Sequence, residues 1–169
     1  GLMDRDNVLA DSIGTAQLAN TTLDYAEASL STSADATLSL TSTAWQMIPD
    51  MAVSLTTTSD EAVCCEISVQ VTFTRLPGTS STREDAHLYY IRMTMGGSVV
   101  AESGPLCVVH IQNCVYLCGT AFLTSGANAL RGEIRFTYDD DTAAQSNAWA
   151  TVAGVTVNNR IISGWRRRR

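Results

Sequence analysis

The sequence contains no lysine, and aromatic residues make up only 7% of its 169 positions. All positive charge is therefore arginine, and a core must be filled mainly by Val, Ile, Leu and Ala. No run of about 18 apolar residues occurs, so no helical membrane span and no membrane insertion is expected. Neither G-x-S-x-G nor H-E-x-x-H is present, and the glycines lack nucleotide-binding spacing. With two histidines, His87 and His110, both inside apolar runs, a histidine-based triad has little to draw on. Catalysis and a cofactor are not expected. Paired glutamates of the glycosidase type would need Glu66 and Glu133, whose spacing does not favour that role over two sheet-face residues.

Eleven basic residues face 17 acidic ones, a formal charge of −6. Four of the arginines are Arg166, Arg167, Arg168 and Arg169. Without that tail the body is strongly acidic, which disfavours nucleic acid as a partner. The tail reads as a solvated end or as an assembly contact with an acidic neighbour. The five cysteines leave at least one unpaired within a monomer. Cys64 and Cys65 point to opposite faces of a strand, and Cys114 and Cys118 sit about 13 Å apart along one. The plain reading is free, buried thiols; a cross-strand bridge from Cys107 to Cys114 or Cys118 is the alternative. Asp139, Asp140 and Asp141, near Asn147, read as a solvated loop rather than a calcium site.

What the chain does have is period two. From Ala62 to Thr74, Val63, Cys65, Ile67, Val69, Val71 and Phe73 alternate with Cys64, Glu66, Ser68, Gln70, Thr72 and Thr74. One apolar and one polar row mark a strand half-buried against a core, about 40 Å long. Met51–Thr58 alternates likewise, and Thr58–Glu61 turns the chain, which predicts a hairpin with the long strand. His87–Met95 comes next, with Gly96-Gly97 as a hairpin turn into Ser98–Ala101. Leu106–Leu123 breaks near Gln112 and Asn113 into two strands. Leu130–Tyr138 alternates again. Trp149–Val152 reads as a short strand turned by Gly154, and Val155–Trp165 closes the domain. Eight to ten strands between Gly, Ser, Asp and Pro turns predict an all-β, jelly-roll β-sandwich with an extended amino-terminal attachment segment. The expected organisation is a connector over 1–42, with Ile13 and Leu18 as assembly anchors, a sandwich over 43–165, and the basic tail over 166–169. Tyr89, Tyr90, Tyr116 and Trp149 are the candidate interface anchors, against the plainer reading that the tyrosines pack in or over the sheets.

Trp45, then Ile48-Pro49-Asp50 and the strand Val53-Ser54-Leu55-Thr56-Thr57, resembles the opening of jelly-roll heads in tailed-phage fibres and related virion proteins, with Asp50 where glycine is common. Those heads are similar in fold to the C1q and tumour-necrosis-factor superfamily. His87–Gly97, the Gly132-Glu133-Ile134-Arg135-Phe136 strand and Arg160-Ile161-Ile162 resemble later parts of the same pattern. Asp11–Ala19 looks like the connectors ahead of such heads. The resemblance implies a homotrimeric virion structural protein, a fibre, spike or capsid decoration. It would join other virion proteins and contact a host surface glycan or receptor. Two alternatives remain open: a monomeric carbohydrate-binding module with an exposed aromatic platform, and a capsid-shell protein whose basic tail faces the genome.

Overall fold

The computed structural model describes residues 27–40, 44–57, 60–75, 87–107, 113–138 and 152–166. The expected anchors Ile13, Leu18, Trp149, Arg167, Arg168 and Arg169 lie outside them, as do His110, Asp139–Asp141 and Asn147. The same holds for the side chain of Arg166, which ends the last strand. Ten strands are formed: β1 (Glu27–Thr32), β2 (Ala36–Leu38), β3 (Gln46–Thr57), β4 (Glu61–Arg75), β5 (His87–Met95), β6 (Ser98–Glu102), β7 (Leu106–Cys107), β8 (Asn113–Leu123), β9 (Gly126–Tyr138) and β10 (Val152–Arg166). No helix among the described residues is long and apolar enough to cross a membrane.

The strands form two antiparallel sheets. Sheet A runs β1-β10-β4-β8, with β2 on the same side of β10 as β1. Sheet B runs β3-β9-β5-β6, with β7 also on β5. Except for the β5–β6 hairpin and the shared edges of β1/β2 and β6/β7, successive strands alternate between sheets. That is a jelly-roll arrangement, as expected. Its hairpin turn is Gly96-Gly97, both with positive φ (58° and 89°), which suits a two-residue turn matched to strand twist.

The core is a direct consequence of alternation. On β4, Val63, Cys65, Ile67, Val69, Val71 and Phe73 are all buried. They meet Ile48, Met51 and Leu55 of β3, Tyr89, Ile91 and Met93 of β5, and Leu130, Ile134 and Phe136 of β9. Each large apolar side chain so buried contributes about 1.5–3 kcal/mol. Phe73 anchors one end, 5.2 Å from the Tyr89 ring and edge-on to Phe136 at 6.2 Å.

The structure corrects three sequence expectations. The expected hairpin of Met51–Thr58 with Ala62–Thr74 is not formed, because β3 pairs with β9 in sheet B and β4 with β10 and β8 in sheet A. Their apolar rows face one another across the core, so the connection arches between layers. Gly154 is not a turn; it lies inside β10, where the register with β4 shifts between Val152 and Gly154. Finally, the sandwich reaches upstream of residue 43. The weakly alternating run Ala34–Leu40 reads as a first strand and holds β2, whereas EASLST of β1 is too short and polar to announce itself, since an edge strand needs little apolar surface.

Two bulges shape the outer surfaces. The β3–β9 register slips between Met47 and Ala52, and the β10–β4 register slips between Asn158 and Ile161. Each holds a non-glycine residue in the left-handed region, Asp50 at φ 57° and Asn159 at φ 43°. Asp and Asn are the residues that tolerate that conformation best. Asp50 can therefore stand where glycine is common. The bulge in β10 turns Arg160 inward, where it is 1% exposed. Its Nη1 donates to the Val157 carbonyl at 2.7 Å, and its Nη2 pairs with Asp50 Oδ2 at 3.0 Å. One guanidinium thus ties the two bulges, and the two sheets, together.

Candidate functional site

The polar row of β4 lies on the outer face of sheet A. Register places its neighbours: Trp165, Cys64 and Thr120 form one rung, Ser163, Glu66 and Cys118 the next, and Ile161, Ser68 and Tyr116 a third. Ser31 extends the third rung through its pairing with Ile161. In-register residues of antiparallel strands share a face, so these side chains form one surface.

A groove of about 400 Å³ opens on this face. Its cause is local. β1 pairs with β10 at Arg160–Trp165 and β2 pairs at Val155–Val157, so the edge is interrupted opposite the β10 bulge. The bulge pushes Asn159 and Ile161 outward together. Ser31, Thr32 and Ser33 form one wall, Ser68, Gln70 and Cys114 the other, and Asn159 and Ile161 lie between. Asn159 Nδ2 donates to Gln70 Oε1, fixing both amides, and Ser68 Oγ lies 3.8 Å from Cys114 Sγ. Among the described residues that line it, none is charged. Hydroxyls and amides donate and accept alike, and Ile161 supplies an apolar contact. Such a surface suits a neutral, hydroxyl-rich ligand, and its volume lies within the ordinary range of ligand sites.

Tyr116 stands beside Ser68 and is 57% exposed. Its hydroxyl donates to Glu66 Oε2 at 2.8 Å, while Ser163 Oγ donates to Glu66 Oε1 at 2.8 Å. The carboxylate therefore holds the tyrosine ring in place at the rim. The bond to Glu66, with smaller contributions from burial and from the charges of Glu66 and Cys118, raises the Tyr116 phenol above its ordinary value.

The other tyrosine candidates divide. Tyr89 is not a surface anchor: it shares the inward row of Ile91 and Met93, is fully buried, and its hydroxyl accepts from Asn113 Nδ2 at 2.7 Å. Tyr90 is half-buried on the outer face of sheet B. There the Arg135 guanidinium lies 4.8 Å from its ring centre and 4.8 Å from that of Trp45. Arg92 sits 4.3 Å from the same indole and pairs with Glu133 Oε2 at 2.6 Å. Sequence reasoning missed this cluster. The signal was the outward placing of Arg92 and Arg135 on adjacent strands, but only the pairing Tyr90↔Arg135 and Arg92↔Glu133 brings the groups together.

Cys64, Cys65, Cys114 and Cys118 are free, though not all are buried. Cys64, Cys114 and Cys118 are exposed on sheet A, and Cys65 alone among the four points into the core. Burial, with the neighbouring Cys64 adding to it, pushes the Cys65 thiol up from 9.0 to about 11. Glu66 and Glu133 lie on opposite outer faces of the sandwich, so they do not flank a common bond. Among the described residues no group of three His, Cys, Asp or Glu side chains is placed to hold a metal ion.

No family model and no curated protein sequence matches the chain. Among solved structures it is similar to dimeric latent PorU from Porphyromonas gingivalis, at 11% identity and a TM-score of 0.47, over 86% of this chain and 13% of that one. It is also similar to the EclA C-terminal domain, a sugar-binding protein, at 12% identity and a TM-score of 0.35, over 95% and 86% of the two chains. A family 35 carbohydrate binding module from Clostridium thermocellum gives 12% identity and a TM-score of 0.32, over 80% and 96%. These likenesses concern the all-β sandwich and extend no further.

Proposed function

We propose that this chain is a carbohydrate-binding module whose ligand lies along the outer face of sheet A. The observation that supports this reading is the uncharged groove of four hydroxyl residues and two amides, set beside a tyrosine held in place at its rim. A neutral sugar offers the matching chemistry: hydroxyls that both donate and accept, and C–H faces that stack on an aromatic ring. Among the described residues that line the groove there is neither a nucleophile–base pair nor a pair of converging carboxylates.

The reading is tested by screening the protein against immobilised neutral glycans and titrating the hits by calorimetry. Tyr116→Ala and Gln70→Ala should each weaken binding about tenfold, the usual cost of losing one well-placed contact. Failure of the unaltered protein to bind any neutral glycan would sink the proposal.

A second reading is the virion structural role, with the module as a subunit of a homotrimeric fibre, spike or decoration. It draws on Phe122, 87% exposed on β8, together with the exposed Met47 and Val99. A phenylalanine as exposed as Phe122 offers an apolar contact to a second subunit. The two readings are compatible if sheet A faces a host glycan. Light scattering at micromolar concentration separates them: a trimer supports the virion role, and a monomer leaves the module alone.

A further inference from the structure

We propose that the Trp45–Arg135–Tyr90 cluster on the outer face of sheet B is a second binding site, which takes the carboxylate of a uronic acid sugar. Charge is the first reason. Arg92 is neutralised by Glu133 at 2.6 Å, but Arg135 has no carboxylate against it among the described residues. The Arg131 side chain, exposed two positions before Glu133 in the same outward row, adds a second positive charge. This patch stands out on a chain whose formal charge is −6.

Hydrogen bonding points the same way. Arg135 Nε is buried and lacks a hydrogen-bond partner among the described residues. The two rings lie 4.8 Å from the guanidinium carbon, and their π faces supply no carboxylate to it. With Nε covered, the Nη groups are the donors open to a ligand. A fixed guanidinium fork matches a planar carboxylate through two parallel bonds. Arg135 alone among the described arginines lies against both rings, which suits the binding of one carboxylate at this point.

The aromatic part selects the rest of the ligand. Trp45 and Tyr90 are both half-buried, and Met47 is exposed on the same face, its Cα paired with Glu133. Rings flanking a fixed cation offer a stacking surface to a pyranose whose carboxylate reaches the arginine. The site is separate from the groove, since the sandwich core lies between the two outer faces. It stands whether or not sheet A binds a neutral sugar.

The test uses the full chain and a trigalacturonate, titrated by calorimetry in low salt. The methyl-esterified trisaccharide and sodium acetate are the comparison ligands. The acid form should bind at least about tenfold more tightly than either, since the ester lacks the charge-assisted bond and acetate lacks the ring. Arg135→Gln should abolish most of that preference. Arg135→Lys, which keeps the charge and loses the fork, should recover only part of it, and Thr74→Ala, exposed on the opposite face and outside the groove, should change nothing. Thermal melting confirms that each variant is folded; if Arg135→Gln is not, Arg135→Lys and the ester carry the test. Equal binding of acid and ester, equal binding of acetate, no binding at all, or loss through Thr74→Ala would each overturn the proposal.

Discussion

The two outer faces of the sandwich are built from strands of the same period, yet they carry opposite chemistry. Sheet A shows hydroxyls, amides and thiols around a groove, with the Glu66 carboxylate engaged by Tyr116 and Ser163. Sheet B shows two guanidiniums packed against aromatic rings, one of them bonded to Glu133. The difference arises at the edges. On sheet A the bulge at Asn159 and the break between β1 and β2 open the surface. On sheet B, Trp45 comes off the start of β3 and lies against Arg92 and Arg135. One face is left concave for a ligand, and the other is partly covered by its own indole.

Both faces depend on Arg160, and its removal should have the largest effect. Its guanidinium fixes the β10 bulge through Val157 and the β3 bulge through Asp50. The pair is lopsided: the arginine side chain is 1% exposed and that of Asp50 61%. Arg160→Ala should therefore cost about 2–4 kcal/mol, chiefly through lost packing and a stranded Val157 carbonyl rather than an orphaned acid. Arg160→Met should cost less, because it refills the space with apolar atoms. Urea unfolding measures both. An alanine variant as stable as the parent would show that the two bulges stand without the tie.

The next test sets one aromatic on each face against the other. Trp45→Ala removes two cation–π contacts and should cost about 1–2 kcal/mol of stability. Tyr116→Ala, at an exposed rim, should leave stability nearly unchanged. Under the proposal for sheet A it nevertheless weakens neutral-glycan binding about tenfold, whereas Trp45→Ala leaves that binding alone. If the stability costs came out reversed, the contrast between an open face and a covered one would fail.

How much of this could be read from the sequence depends on what alternation encodes. The rows of β4, β5 and β9 were legible because each residue's face depends only on parity. Tyr89 was legible in the same way: it shares the row of Ile91 and Met93, and its hydroxyl obscured that it belongs to the core. Parity does not say which sheet a strand joins, so the β3–β4 arch looked like a hairpin. Bulges break parity, and Asn158-Asn159 and Pro49-Asp50 are only retrospective signals for them. The groove was hidden for that reason. Its walls come from residues 31–33, 68, 70, 114, 159 and 161, which only the β1–β10–β4–β8 order brings together.

Thiol chemistry sharpens the comparison at a smaller scale. Cys64, Cys114 and Cys118 all lie exposed on sheet A, and Cys65 lies beneath it. Iodoacetamide at about pH 8, chosen near the ordinary thiol range, followed by peptide mass mapping, should label the three exposed thiols and spare Cys65 until the protein unfolds. Because the folded state holds the Cys65 proton up to about pH 11, against an ordinary value of 9.0, the thiol form is favoured by folding. Its contribution to stability is complete below pH 9.0 and is lost as pH rises through about 11. Melting temperatures across that window should fall less in Cys65→Val than in the parent. Rapid labelling of Cys65 in the native protein would contradict the buried inner row of β4.

The smallest expected effect concerns the tyrosine at the groove rim. Tyr116 donates to a carboxylate, and ionising the phenol would both break that bond and set two negative charges side by side. The phenol should therefore titrate above its ordinary value of 10.0, as the pairing with Glu66 dictates. Subtracting the ultraviolet titration of Tyr116→Phe from that of the parent isolates this one phenol. Glu66→Gln retains an acceptor but removes the charge, so it should bring the titration part of the way back. Glu66→Ala should bring it further. Since the protonated phenol is favoured in the folded state, any stabilisation from this pair is present below pH 10.0 and declines above it. An unchanged titration in Glu66→Ala would mean that the ring is not held by the carboxylate, and the rim of the sheet A groove would be as adaptable as any exposed side chain.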